Sequence, residues 1–218
     1  RRHLLEMNDA IGRLGRLISE DPADRDVAEV IWAALRGMVM GQMIMNEPID
    51  WQRERRTLVE MAIGRLCSND LEAIKRVKYR YLRALDTKHW NDFADTLTED
   101  VVGDYGSSLG QEHRFTDRNS LVEYMRTAMP ENVITEHRVT HPEITIDGDE
   151  ASGIWYLQDR VIVAEFDFML IGAAFYHDEY VKTPDGWKIR KTGYKRTYDA
   201  TMSLKNLNFK LMVGDAYA

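Results

Sequence analysis

A chain of 218 residues with 44% hydrophobic and 30% charged side chains has apolar material for one large domain or two small ones, under an ordinary solvated surface. The formal charge of −7 and the pI of about 5.4 argue against nucleic acid as a partner, because the global basic footprint of a phosphate binder is missing. The sequence contains no run of about 18 apolar residues to cross a membrane. Its one cysteine, Cys67, excludes an internal disulfide and fits a reducing, cytoplasmic setting.

Arg1-Arg2-His3-Leu4-Leu5 opens a charged amphipathic helix and has neither a signal-peptide core nor a cleavage site. The first residue is not methionine, which fits a fragment of a longer chain. Leu4, Met7, Ile11, Leu14 and Ile18 recur at three- and four-residue steps and predict a first helix, which Asp21-Pro22 breaks. A second helix carries Val27, Val30, Ile31, Ala34, Leu35, Met38 and Met45 on a broad stripe until Asn46-Glu47-Pro48. Gly37 and Gly41 lie four apart on it, among Met38, Met40, Met43 and Met45, so a neighbouring backbone can approach closely. That face reads as ordinary helix-packing core, or more sharply as a dimerisation face or ligand pocket. A third helix runs over about 50–66, and its Arg53, Arg55 and Arg56 read as a solvated face.

Ser68-Asn69-Asp70 is expected to interrupt the chain, with Asn69 and Glu72 at the offset of a helix cap and its returning acid. Helices follow over about 70–85, 88–97 and 118–128. After Pro130 the period changes to long alternating strands over about 133–146, 151–163, 167–183 and 187–199. Asp147-Gly148-Asp149 and Pro184-Asp185-Gly186 supply turn chemistry between pairs of them. Helices followed by antiparallel strands define an α+β fold, and strands this long must twist and coil into a cone around the preceding helices. The expected organisation is a helical segment over 1–68, an α+β domain over 69–205 and a tail over 206–218.

No phosphate loop, dinucleotide fingerprint, nucleophile elbow or HExxH zinc motif is present. His137 and His141 can share a strand face, but no carboxylate or thiol cluster completes a metal site. The most suggestive set is Tyr81, Asp86 and His137. Asp86 closes a helix after a strongly apolar turn, and His137 lies on the first long strand between Thr135 and Val139. A buried carboxylate beside an imidazole fixes its tautomer and stabilises its charged form, which makes a general base. Five residues of ideal helix rotate a side chain by about 140°, so Tyr81 and Asp86 share a pocket only if the helix ends or bends near Asp86. The same residues admit a plainer reading, with Asp86 as a helix terminator and Tyr81 as a core aromatic.

Residues from about 69 to 202 resemble the SnoaL-like group of the nuclear-transport-factor-2-like fold, which includes scytalone dehydratase, bile acid 7α-dehydratase and hexachlorocyclohexane dehydrochlorinase. The resemblance rests on Lys78-Tyr79-Arg80-Tyr81-Leu82-Arg83-Ala84-Leu85-Asp86, Asp92-Phe93-Ala94-Asp95-Thr96-Leu97-Thr98-Glu99-Asp100-Val101, Thr135-Glu136-His137, Tyr176-His177-Asp178-Glu179-Tyr180 and Asp185-Gly186-Trp187-Lys188-Ile189. It implies a pairing of Asp86 with His137 as proton-abstracting base, and a tyrosine role for Tyr81. It also implies an arginine from the last strand, with Arg190 as first choice and Arg196 as the alternative. More faintly, Ala33-Ala34-Leu35-Arg36-Gly37-Met38-Val39 and Leu58-Val59-Glu60-Met61-Ala62-Ile63-Gly64-Arg65-Leu66 resemble the C-terminal ligand and dimerisation part of TetR-type regulators, without their DNA-reading half.

These resemblances imply a cofactor-independent, dehydratase-like lyase or isomerase for an apolar, cyclic small molecule, with His137, Asp86, Tyr81 and Arg190 as site residues. No metal or organic cofactor is required where a carbonyl or leaving group already acidifies the proton. The alternative is a non-catalytic ligand-binding or regulatory module, part of a TetR-type regulator fused to this domain. Both readings expect a homo-oligomer through the Gly37, Gly41 and methionine face. Light scattering at micromolar concentration is expected to give a mass above the monomer, and a strictly monomeric mass refutes that expectation.

Overall fold

The computed structural model describes residues 31–40, 50–108 and 111–214, and the chain divides into two compact units, Arg1–Ser68 and Asn69–Ala218. The expected first helix, its break at Asp21-Pro22, and the positions Gly41, Met43 and Met45 lie outside the described residues. Within the first unit residues 31–40 are helical, and the Arg36 guanidinium lies 5.5 Å from the centroid of the Trp32 ring. Among the described residues nothing lies within 4 Å of the point a Cβ would occupy at Gly37. Arg53 and Arg56 are exposed, as a solvated face requires.

The Asp50 carboxylate accepts the backbone N–H groups of Gln52 and Arg53, both at 3.1 Å, and so starts helix α1 (Trp51–Asp86). The break expected at Ser68-Asn69-Asp70 does not occur, because α1 is continuous through it. Three weak helix formers cost only about half a kcal/mol each, and no proline follows to enforce a stop. What ends α1 is a backbone device at residues 84–89. The His89 N–H bonds the Ala84 carbonyl at 2.9 Å and the Lys88 N–H bonds the Leu85 carbonyl at 3.3 Å, with Lys88 left-handed at φ 61°.

Two short helices follow, α2 (Trp90–Asp95) and α3 (Arg118–Ala128). Asp117 caps α3 by accepting the Ser120 N–H at 2.9 Å. The sheet has six strands: β1 (Leu97–Ser108), β2 (Gln111–Phe115), β3 (Ile134–Asp147), β4 (Glu150–Val163), β5 (Phe168–Thr183) and β6 (Gly186–Met202). Their order is β2-β1-β6-β5-β4-β3. The four long strands and their antiparallel pairing match the sequence reading, and the fold is the expected curled α+β arrangement. The pair β1–β2 was not foreseen, nor was the parallel pairing of β1 with β6.

One core joins these layers. Ile74, Lys78, Tyr81, Leu82 and Leu85 lie at helical spacing on the buried face of α1, with Phe93 of α2 and Leu121 and Met125 of α3. Trp155, Leu157, Ala174, Tyr176, Tyr180, Trp187 and Ile189 face them from the sheet. Lys78 is fully buried on this apolar stripe. Its ammonium lies 2.7 Å from the Asp178 carboxylate and 3.3 Å from the centroid of the Tyr176 ring. Asp178 also accepts hydrogen bonds from the Thr192 and Tyr180 hydroxyls, both at 2.8 Å, and Tyr180 accepts the Trp155 indole N–H at 2.9 Å. Burial lowers the Lys78 pKa, against the opposing pull of Asp178.

The parallel β1–β6 contact depends on the absence of a side chain. A Cβ at Gly193 would collide with the Asp104 backbone carbonyl, and backbone cannot swing aside as a flexible side chain can. Gly193→Ala is expected to destabilise the protein by about 2–4 kcal/mol, measured by chemical denaturation. A loss under about 0.5 kcal/mol would show that β1 is not held against β6 at this point.

Candidate functional site

Asp86 is the last residue of α1, so its carboxylate projects beyond the helix toward β3. It receives three donors from that strand. The His137 ring Nδ1 lies 2.6 Å from one oxygen, the His137 backbone N–H donates to the other at 2.9 Å, and the Thr135 hydroxyl donates at 2.8 Å. Burial pushes the Asp86 carboxyl upward, but the His137 and Thr135 hydrogen bonds and the nearby imidazole outweigh it, so the group lies below the ordinary aspartate value of 3.8. The His137 side chain is almost wholly enclosed, at 6% exposure. The Lys88 ammonium donates to the Thr135 hydroxyl at 3.1 Å, and burial pulls it down to about 8 while Asp86 opposes the shift.

His137 lines a cavity of about 290 Å³ inside the second unit. Leu85, Met125, Met129, Val161 and Leu170 give it apolar walls, and Tyr105, Tyr124, Tyr176 and Tyr194 bring four phenols. His113 of β2 also lines it, with its ring centroid 5.2 Å from that of Tyr124. Burial raises the Tyr105 and Tyr176 hydroxyls well above the ordinary tyrosine value, so both stay protonated at neutral pH. Tyr81 is fully buried and is not on the cavity wall. Its hydroxyl shares a 2.8 Å hydrogen bond with that of Tyr105, which does line the cavity. Tyr81 and Asp86 are thus joined to one site through intermediaries, as the 140° rotation between them requires.

The last strand brings a different arginine from the sequence's first choice. Arg190 bonds Glu150 at 2.7 Å and approaches Glu179 at 3.6 Å among exposed side chains, away from the cavity. Arg196 lines the cavity and holds Asp159 in a two-pronged pair at 2.6 and 2.7 Å. Two irregularities in β6 explain the exchange. Tyr180 pairs with Ile189 and Glu179 with Lys191, which leaves Arg190 as an extra residue; Ala173 pairs with Tyr198 and Ala174 with Arg196, which leaves Thr197 as another. Each extra residue inverts the alternation. Trp187 and Ile189 point inward, then Thr192, Tyr194 and Arg196, then Asp199.

His141 does not join His137. The register of β3 shifts between Thr140 and Glu143, and His141 is exposed at φ 49° with its Nδ1 2.9 Å from the Thr140 hydroxyl. Among the described residues no group of three His, Cys, Asp or Glu could hold a metal ion. Asp159, Tyr105 and Lys88 were not singled out from sequence. The alternation Ala151, Gly153, Trp155, Leu157, Asp159 does put an aspartate on a buried strand face, and that was the available signal for it.

A curled sheet packed with helices around a cavity defines a protein of the α+β cone class. Residues 68–193, more than half of the chain, match the family described as SnoaL-like domain, and the chain belongs to that family. An uncharacterised protein of Mycobacterium tuberculosis (strain H37Rv) is 24% identical over 122 residues, covering 56% of this chain and 81% of the relative. A crystal structure from Kribbella flavida is similar with a TM-score of 0.56 and 23% identity, over 62% of this chain and 95% of that one. A putative scytalone dehydratase of Novosphingobium aromaticivorans gives a TM-score of 0.53 at 21% identity, over 60% and 85% of the two chains. A hexachlorocyclohexane dehydrochlorinase (LinA) gives 0.55 at 18% identity, over 65% and 93%. At these identities the structural likeness establishes the fold.

Because the Asp86 pKa is lowered on folding, the hydrogen bonds to its carboxylate stabilise the protein above the unfolded value and are lost as pH falls through the folded one. Asp86→Asn is expected to cost roughly 1–3 kcal/mol at pH 7. The gap to the native protein should shrink as pH falls below about 4, in urea melts across that range. A gap independent of pH would mean that the Asp86 charge is not stabilised by folding.

Proposed function

We propose that the protein is a cofactor-independent lyase or isomerase of dehydratase type that acts on a cyclic small molecule. The observation that carries this reading is the Asp86 carboxylate with its three hydrogen bonds, His137 Nδ1 at 2.6 Å among them, behind an imidazole that lines a cavity. With Nδ1–H donated to Asp86, Nε2 keeps its lone pair and serves as the base. It takes a proton from a carbon that a carbonyl or leaving group has acidified. The C–H electron pair becomes the new C=C bond and expels hydroxide or halide from the neighbouring carbon. The imidazolium then returns its proton to a departing hydroxide, which leaves as water, or, where halide departs, releases it to solvent water.

Asp86 holds the ring in one tautomer and stabilises its charge while the proton is on it. The Tyr105 hydroxyl, backed by Tyr81, and an Arg196 N–H not engaged by Asp159 are the hydrogen-bond donors available to a substrate oxygen on which negative charge develops. Arg196 takes the part assigned from sequence to Arg190. The likeness to a putative scytalone dehydratase and to a hexachlorocyclohexane dehydrochlorinase supports eliminations on rings as the reaction class.

A screen of cyclic β-hydroxyketones and halides should find turnover in the native protein. Loss of the base is expected to lower kcat by about 10²–10⁴ in His137→Ala, with a smaller loss in Asp86→Asn. Full turnover in both variants refutes the mechanism. Binding of such compounds without turnover points to a ligand-binding module.

A further inference from the structure

The register of four neighbouring strands puts a charged row across the cavity floor. His137 of β3 pairs with Asp159 of β4, Asp159 with Gly172 of β5, and Gly172 with Asp199 of β6. The Arg196 side chain lies over the glycine in that row. Its Nη1 and Nη2 donate to the two Asp159 oxygens at 2.6 and 2.7 Å, and its Nε lies 3.3 Å from Asp199. Tyr194 stacks beneath the guanidinium at 4.6 Å. A Cβ at Gly172 would lie 2.5 Å from Arg196 Nη1 and 2.7 Å from an oxygen of each aspartate, so a side chain there would have to displace the ends of these groups.

Two of the five guanidinium N–H groups donate to Asp159, and the Asp199 carboxylate lies within ion-pair distance of Nε. The one permanent cation of the wall therefore faces two anions, and Asp86 adds a third carboxylate behind His137. An anionic ligand would have to enter beside Asp159 and Asp199 with no cation free to meet it, in a site that also strips its water. An uncharged ligand meets no such penalty. Its hydroxyl or carbonyl oxygen can take a remaining Arg196 N–H or the Tyr105 hydroxyl, and a hydroxyl can donate to Asp199. The cavity has the volume of about ten water molecules, which suits one ring or two fused rings.

We propose that Asp159 and Asp199 act as a charge filter on this cavity, holding Arg196 neutralised so that the site takes uncharged one- or two-ring hydroxy or keto compounds and rejects their carboxylates. This rests on the reading of the cavity as the ligand site. It makes Asp159 and Asp199 specificity-determining residues and gives Gly172 a functional reason to lack a side chain.

The test uses three probes of one shape at pH 7.5: 2-naphthol, 2-naphthoate and 2-naphthylmethylammonium. Affinity is measured by calorimetry, and the binding place by shifts of the His137 ring protons. In the native protein 2-naphthol is expected to shift His137 and to bind at least roughly tenfold more tightly than 2-naphthoate. Asp199→Asn, whose side chain is 44% exposed, should narrow that ratio several-fold by improving naphthoate binding. Asp159→Asn should do the same where its spectrum stays native.

Equal or tighter binding of naphthoate by the native protein overturns the filter, as does an unchanged ratio in Asp199→Asn; the cavity reading survives either. Tighter binding of the ammonium probe than of naphthol overturns the uncharged class in favour of cations. If no probe shifts His137, the cavity reading itself fails and the filter with it.

Discussion

The fully buried pair of Lys78 and Asp178 sets the rotation of α1 against the sheet, and the site depends on that setting. An ammonium within an apolar stripe is tolerated only while its counter-ion stays within reach, and loss of one partner from such a pair costs about 3–5 kcal/mol. Asp178 is itself held by Thr192 of β6 and Tyr180 of β5, so one carboxylate ties the helix to two strands. With α1 fixed, Tyr81 one turn on reaches Tyr105, and Asp86 two turns on reaches the end of the helix opposite His137. A pair that contributes little net stability against a hydrophobic substitute can still specify one orientation among several.

Two local irregularities do for the last strand what the ion pair does for the helix. A regular β6 with Trp187 and Ile189 inward would keep both Arg190 and Arg196 on the outer face, since both lie on the opposite parity. The extra residue at Arg190 turns Thr192, Tyr194 and Arg196 inward, and the one at Thr197 turns Asp199 in behind them. The termination of α1 is similarly local and similarly consequential. Lys88 takes a left-handed conformation that glycine usually fills, at a cost of roughly 1–2 kcal/mol. Its ammonium then reaches Thr135, which bonds Asp86. Backbone strain and site geometry meet at the same residue.

The cavity that results is aromatic and acidic as well as apolar. The residues of the proposed site are spread over α1, β1, β3, β4 and β6, and no two adjacent elements carry them all. Such a distribution needs a closed curl of sheet, because only curvature brings β1 and β3, at nearly opposite ends of the strand order, to face one space.

The sequence by itself determined the elements with a strong period. The switch from helical to alternating spacing near Pro130 gave the four long strands, and the spacing of Ile74, Leu82 and Leu85 gave the second half of α1. Asp86 and His137 were legible because a helix-ending carboxylate and a strand histidine sit inside motifs with a family resemblance. The continuous helix through Ser68-Asn69-Asp70 was not legible, since cap-forming residues are also tolerated within a helix when no proline follows them. Nor was β1, where Glu99 interrupts the inward row of Leu97, Val101, Gly103 and Tyr105, and Val102 stands among the outward polar residues.

What tertiary structure alone decided was register: Arg196 in place of Arg190, Asp159 beside His137, Gly172 beneath the guanidinium, and Tyr105 between Tyr81 and the cavity. The physical reason is that one extra residue in a strand exchanges its two faces. Its position follows from pairing with distant segments and leaves no trace in local spacing.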